Sequence, residues 1–222
     1  MKKKVMFLLK NAISPASFFI VLLFLFAPTL LMGESFETMF NSVKGTYTKD
    51  NSAGSNCVKF EKIIRCDSVS ASELFNRVVN YISYNYSSNK GIEVQDRAQN
   101  LIVARGYYKD FYDRGDFSGA RHICTAEHII RIDVRDGRFK VTINVGDIDE
   151  RVPNANTYTF SRGGKMNLIN MFPINKPDFK IEDRVSKTEN NEMELFYALF
   201  LRIQSTFSKL EKISKEKVDN DW

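Results

Sequence analysis

Between Ala126 and Ile148 the chain reads AEHIIRIDVRDGRFKVTINVGDI, with apolar and polar side chains in near-strict alternation. A period of two belongs to a strand with one face buried and one face wet. Asp136-Gly137 at its centre is a two-residue hairpin signal, since both central positions of a type I′ turn take positive φ. The register that follows sets Val134 opposite Phe139, Ile132 opposite Val141 and Ile130 opposite Ile143. On the wet side it sets Asp133 opposite Lys140, an opposite-charge pair. Upstream, CVKFEKIIRC at 57–66 predicts a strand with Val58, Phe60, Ile64 and Cys66 on one face and Cys57 on the other. DSVSASELFNRVVNYISYNY changes period: Leu74, Phe75, Val78, Ile82 and Tyr86 recur at helical intervals. Ser70 and Glu73 have the spacing of a capping box, and SSNKG at 87–91 ends the helix, with Gly91 suited to the left-handed conformation.

IEVQDRAQNLIVARGYY, 92–108, predicts two strands around a turn near Arg97–Asn100, and KDFYDRGDFSGA, 109–120, a loop. From 149 to 187 the alternation fails; three Pro and an adjacent Gly pair predict an irregular insertion. Thr188 can cap a last helix, 188–217, on which Phe196, Leu199, Phe200, Ile203, Phe207 and Leu210 make a wide apolar face. Such a face must be covered, here by the chain's own sheet or else by a partner or membrane surface. Strand, helix, four strands and helix give an α+β fold: an antiparallel five-stranded sheet with helices packed on one face.

The N-terminus changes how charge is read. Lys2, Lys3, Lys4 and Lys10 precede FFIVLLFLFAPTLLM, 15 uncharged residues at 18–32. Basic, apolar and then small residues are the layout of a signal peptide, and the run is shorter than the ~20 residues of a comfortable membrane span. Residues 1–33 are therefore expected to be a cleaved signal peptide, with an uncleaved anchor as the alternative. Residues 34–56 (containing GTYTKDNSAGSN) read as a linker, and the protein is expected in the periplasm or secreted, touching membrane only before cleavage. The formal charge is +5, and the first 33 residues hold four Lys and no acid, so the remainder carries +1. A basic nucleic-acid surface is not implied. Cys57 and Cys66 end a strand whose length, roughly 30 Å at ~3.3 Å per residue, separates them too far for a disulfide. A Cys66–Cys124 bond is conceivable, and buried thiols are the plainer reading.

Candidate chemistry is sparse. His122, Cys124 and His128 share strand parity and offer metal donors, but zinc usually takes at least three protein ligands. The same face bears Ile130, Ile132 and Val134, which favours half-buried polar residues. Nucleophilic catalysis would need an imidazole beside a Ser or Cys124 and oriented by a carboxylate, and no nucleophile-elbow or metalloprotease motif accompanies either His. Arg162-Gly-Gly-Lys165 lacks P-loop spacing. Asp147, Asp149 and Glu150 read as solvated loop charges. Arg105, Tyr107, Tyr108, Phe111 and Tyr112 interleave basic and aromatic side chains and are the candidate binding residues, a rim for a glycan, peptide or lipid. Nothing calls for a cofactor.

VKFEKIIRCDSVSASELFNRVVNYISYNY, IEVQDRAQNLIVARG and IIRIDVRDGRFKVTI together resemble the bacterial family called domain of unknown function 4468, over residues 57–148. The resemblance implies a fold like that of the TATA-box-binding protein and a secreted or periplasmic location. It carries over no catalytic residue. The chain departs from the family at Asn100, where a turn Gly is common, and in 149–187. A nominal link to DNA is analogy of fold and does not transfer. The expectation is a non-enzymatic binding module of the cell envelope with an unidentified envelope ligand or protein as its partner. Alternatives are an assembly component docking through helix 188–217 and, more weakly, an envelope hydrolase.

Overall fold

The computed structural model describes residues 34–50, 56–86, 91–115, 121–153, 160–161 and 164–216. The expected signal peptide lies outside them, and no described helix is long and apolar enough to cross a membrane. Residues 1–38 and 39–222 separate as two compact units. In the first, the backbone N–H of Thr38 donates to Ser35 Oγ at 3.2 Å as helix α1 (Phe36–Val43) begins.

In the second unit eight described strands are antiparallel: β1 (Tyr47–Asp50), β2 (Cys57–Arg65), β3 (Ile92–Asp96), β4 (Leu101–Gly115), β5 (Arg121–Arg135), β6 (Arg138–Pro153), β7 (Phe160–Ser161) and β8 (Lys165–Asn167). Their order is β1-β2-β6-β5-β4-β3, with β7 and β8 each pairing to β6. All five expected strands are present. The three additional ones come from stretches without alternation: β1 from the expected linker, β7 and β8 from the expected insertion.

The β5–β6 register is the anticipated one, Val134↔Phe139, Ile132↔Val141 and Ile130↔Ile143. The turn is not type I′, because Gly137 takes φ +67° and Asp136 does not take positive φ. The Asp136 carboxylate instead accepts from the Ala71 backbone N–H at 2.8 Å, which ties the turn to the start of helix α2 (Ala71–Asn85). On the wet side Asp133 does face Lys140, but the closest charge partners are others. Asp133 is held by Arg131 through two bonds of 3.0 and 2.8 Å, and Lys140 pairs with Glu61 at 2.8 Å.

Inward residues form one buried layer: Val58, Phe60 and Ile64 on β2, Ile102 and Ala104 on β4, Ile130 and Ile132 on β5, Val141 and Ile143 on β6. Helix α2 covers it with Leu74, Phe75, Val78 and Ile82, its N-terminus capped by Ser70 Oγ. It ends at Asn85 with Tyr86 as cap; Gly91 does take φ +47°, but leading into β3 rather than closing the helix. Helix α3 (Lys187–Lys215) buries all six residues of its expected face. Its cap is Ser186, not Thr188: Ser186 Oγ accepts from the Glu189 N–H at 3.2 Å and Glu189 Oε2 accepts from the Ser186 N–H at 2.7 Å.

The expected insertion is part of the core. Leu168, Phe172 and Ile174 are at most 1 % exposed, and Phe172 and Phe179 pack against Phe40 of α1 with ring centroids 5.9 and 5.3 Å away. Loop backbone carries this cluster, so no period announces it. Cys66 and Cys124 are buried free thiols.

Candidate ligand-binding site

Two irregularities in the sheet build the site. In β4 the register with β5 shifts between Tyr108 and Tyr112, and Asp110 inside the bulge takes φ +46°. Such a bulge bends and re-aims a strand. The expected loop 109–120 is therefore mostly strand, β4 continuing to Gly115. A second shift lies between Ala126 and His128, where β5 pairs with β6. It changes which β6 residues face inward: Val141, Ile143 and Val145 before it, Ile148 after it, all fully buried. Glu150 then sits opposite Cys124, which sits opposite Tyr112.

At this end of the layer, beside the start of α3, lies a cavity of about 500 Å³. Met166, Met171 and Leu195 supply apolar wall; Tyr112, Arg114, His122 and Glu150 supply a polar strip. The polar groups are bonded among themselves. His122 Nδ1 lies 2.8 Å from Glu150 Oε1. Tyr112 donates its O–H to Glu194 Oε2 at 3.3 Å, and Arg114 pairs with the same carboxylate at 3.3 Å while also bonding Asn191. On the rim the Phe172 N–H donates to Glu192 Oε2 at 2.8 Å. A ligand here meets apolar surface and a row of mutually bonded donors and acceptors, with Lys187 also on the lining.

A smaller cavity, about 150 Å³, borders Tyr86, Gly106, Tyr108, His128 and Thr206. His128 is 3 % exposed. Tyr108 stacks on it at 4.0 Å, Tyr86 meets it edge-on at 5.5 Å, and its Nε2 lies 3.1 Å from the Tyr86 hydroxyl. Its Nδ1 is buried without a partner. Burial lowers the imidazole pKa to about 4, with Glu127 opposing, so His128 is neutral at physiological pH.

The candidate residues therefore fall into different places. Strand alternation sends Arg105 and Tyr107 to the outer face, where Arg105 pairs with Glu93 at 2.7 Å and Glu127 at 2.8 Å. It sends Tyr108 inward onto His128, and Phe111 is buried at 6 % exposure. Of the five, Tyr112 alone lines the larger cavity. Arg105, Tyr107 and Tyr108 nonetheless all border the smaller cavity. Phe111 is buried and Tyr112 lines the larger one, so the five do not form one exposed rim, because a strand with a bulge replaces the loop. His122, Cys124 and His128 do share an inner face, yet His122 and His128 border different cavities. Among the described residues no group of three or more His, Cys, Asp or Glu is placed to hold a metal. Cys124 is no ready nucleophile: burial, then the Glu150 charge, pushes its thiol up to about 12.

Sequence reasoning missed Arg114, Met166, Met171, Leu195 and the inward turn of Glu150. The parity change at the second bulge hides Glu150, and the others lie apart along the chain.

The antiparallel sheet with helices on one face defines an α+β protein of TBP-like fold. Residues 60–145 match the family model described as domain of unknown function (DUF4468) with TBP-like fold. A TBP-like protein from Parabacteroides distasonis ATCC 8503 is 13 % identical, with TM-score 0.50 over 74 % of this chain and 97 % of its own. A DUF4468 family protein from Bacteroides ovatus ATCC 8483 is 11 % identical, with TM-score 0.52 over 82 % and 98 %. These are likenesses of fold. No curated protein matches the sequence.

Proposed function

We propose that the protein is an exported, non-enzymatic binding module of the bacterial envelope. It holds a small, uncharged amphipathic molecule in the cavity between β4, β5, β6 and the start of α3. One observation carries this reading: a cavity of about 500 Å³ joins the apolar wall of Met166, Met171 and Leu195 to a polar strip whose groups are bonded to one another, His122 to Glu150 and Arg114 to Glu194. Ligand pockets have this size and this mixture of apolar wall and few polar groups. A charged ligand would compete with the Arg114–Glu194 and His122–Glu150 pairs, whereas a neutral one with hydroxyl or amide groups can bond the strip without breaking them. Export rests on the basic, apolar and small-residue order of 1–33.

The outer face of the sheet gives little support to nucleic-acid binding, since Lys59 and Lys140 share Glu61, Arg131 holds Asp133, and Arg105 holds two glutamates. Docking through α3 finds its apolar face already used by the chain's own core. The hydrolase reading is favoured by one observation, the His122–Glu150 pair in a cavity, since a carboxylate-oriented imidazole can act as a general base. Against it stand the raised Cys124 thiol and, among the described residues, a cavity lining without Ser or Thr.

The test is thermal unfolding with octyl glucoside below its micellar concentration, with glucose and octanol as half-ligands. The glucoside is expected to raise the melting temperature more than either half, and Met171→Trp, which fills the cavity, to abolish the rise. Equal shifts in wild type and Met171→Trp would contradict the reading.

A further inference from the structure

Away from the cavity, one row of the outer face breaks the pattern of paired charges. Arg65 on β2 sits opposite Arg138 on β6, which sits opposite Arg135 on β5. All three are exposed, and their strand parity puts them on the face away from the helices. Adjacent strands lie about 4.8 Å apart, so three guanidinium groups arise within a span of about 10 Å. Like charges directly opposite one another destabilise a sheet.

The side chain of none of the three makes a hydrogen bond or an ion pair among the described residues. The acids that could neutralise them are engaged elsewhere or stand apart. Asp133 is bonded to Arg131 and feels the Arg135 charge without pairing to it, Glu61 is bonded to Lys140 and Lys59, and Asp136 to the Ala71 N–H. No ion pair joins Asp67 to the row. The rest of the face shows that pairing is readily built on this sheet, which makes the unpaired row a feature of its own. Ile63, two residues before Arg65 on the same face, is 59 % exposed.

We propose that the Arg65–Arg138–Arg135 row, with Ile63 beside it, docks the protein on the phosphate groups of an anionic lipid surface. The guanidinium fork matches phosphate oxygens and is weakly hydrated. Cations flanked by an exposed apolar side chain are what a membrane-surface footprint presents. A lipid surface fits better than a nucleic acid, because the row is short and its surroundings on the sheet are neutralised. The attraction is local, since the chain beyond residue 33 carries only +1.

The experiment uses the whole chain and a local readout, so that residues 1–33, the same in every variant, do not set the signal. An environment-sensitive dye is attached at Ile63→Cys in a Cys57→Ser background, and vesicles of phosphatidylglycerol or phosphatidylcholine are added. The expected result is a blue shift with phosphatidylglycerol, none with phosphatidylcholine, and loss of the shift in about 0.5 M salt. Combining Arg65→Gln, Arg135→Gln and Arg138→Gln should move the lipid midpoint about a hundredfold, at roughly fivefold per charge. The melting temperature should hold or rise, because repulsion is removed. Arg131→Gln, on the same face but already paired, should change the midpoint by no more than about fivefold. Equal shifts with both lipids, a shift retained in the triple variant, or a response to a single-stranded oligonucleotide or inorganic phosphate but not to vesicles would overturn the proposal.

Discussion

At Gly106 an added methyl group would have to stand 2.4 Å from a Tyr86 ring carbon and 3.0 Å from His128 Cε1. Gly106 faces His128 across the β4–β5 ladder, so the missing side chain is what lets the Tyr86 ring reach that imidazole. Gly106→Ala is expected to lose about 1–3 kcal/mol, the usual range for overpacking, read as a lowered midpoint in chemical denaturation. His128 sets a pH dependence. Its pKa is about 4 when folded against an ordinary 6.5, so the unfolded chain takes up a proton that the folded chain refuses. The corresponding stability is complete above pH ~6.5 and is lost as pH falls towards 4, by about 3 kcal/mol in full. A stability–pH profile of His128→Phe should be flatter across that window. None of this was visible in the sequence. Gly106 lies inside a strand-forming run and His128 on an apolar parity, and only the fold brings Tyr86 between them.

Among the elements, those with a clear period were legible: the five expected strands, α2, the apolar face of α3 and the β5–β6 register. What the sequence hid was carried by backbone events. The bulge around Asp110 turned an expected loop into strand, the one beside Ala126 brought Glu150 inward, and Phe40, Phe172 and Phe179 built core from aperiodic segments. The start of α3 was a case of two competing caps. Ser186 and Glu189 have capping-box spacing, as legible as Ser70 and Glu73, but Thr188 stood nearer the apolar run. Ser186→Ala should lower stability by about 1 kcal/mol, whereas Thr188→Ala should leave the melting temperature nearly unchanged.

For the whole second unit, both α2 and α3 are needed to cover the inner face of one sheet. Phe196, Leu199, Ile203, Phe207 and Leu210 are at most 2 % exposed, and removing α3 would leave that face open to water. A chain ending at Val185 is therefore expected to lose its cooperative unfolding transition, monitored by circular dichroism. A docking helix with its own partner would predict the reverse, a truncated chain that still melts sharply. The candidate site was legible only in pieces, as Tyr112 and His122, because its wall comes from β8, the segment before α3 and α3 itself.

The central claim is that the space beside Met166 and Met171 receives the ligand, and methyl NMR reports on it directly. With octyl glucoside, the Met166 and Met171 methyl resonances should shift saturably, while those of Met39 and Met193, buried outside the cavity, should stay in place. Unmoved Met166 and Met171 signals, or equal movement of all four, would contradict it.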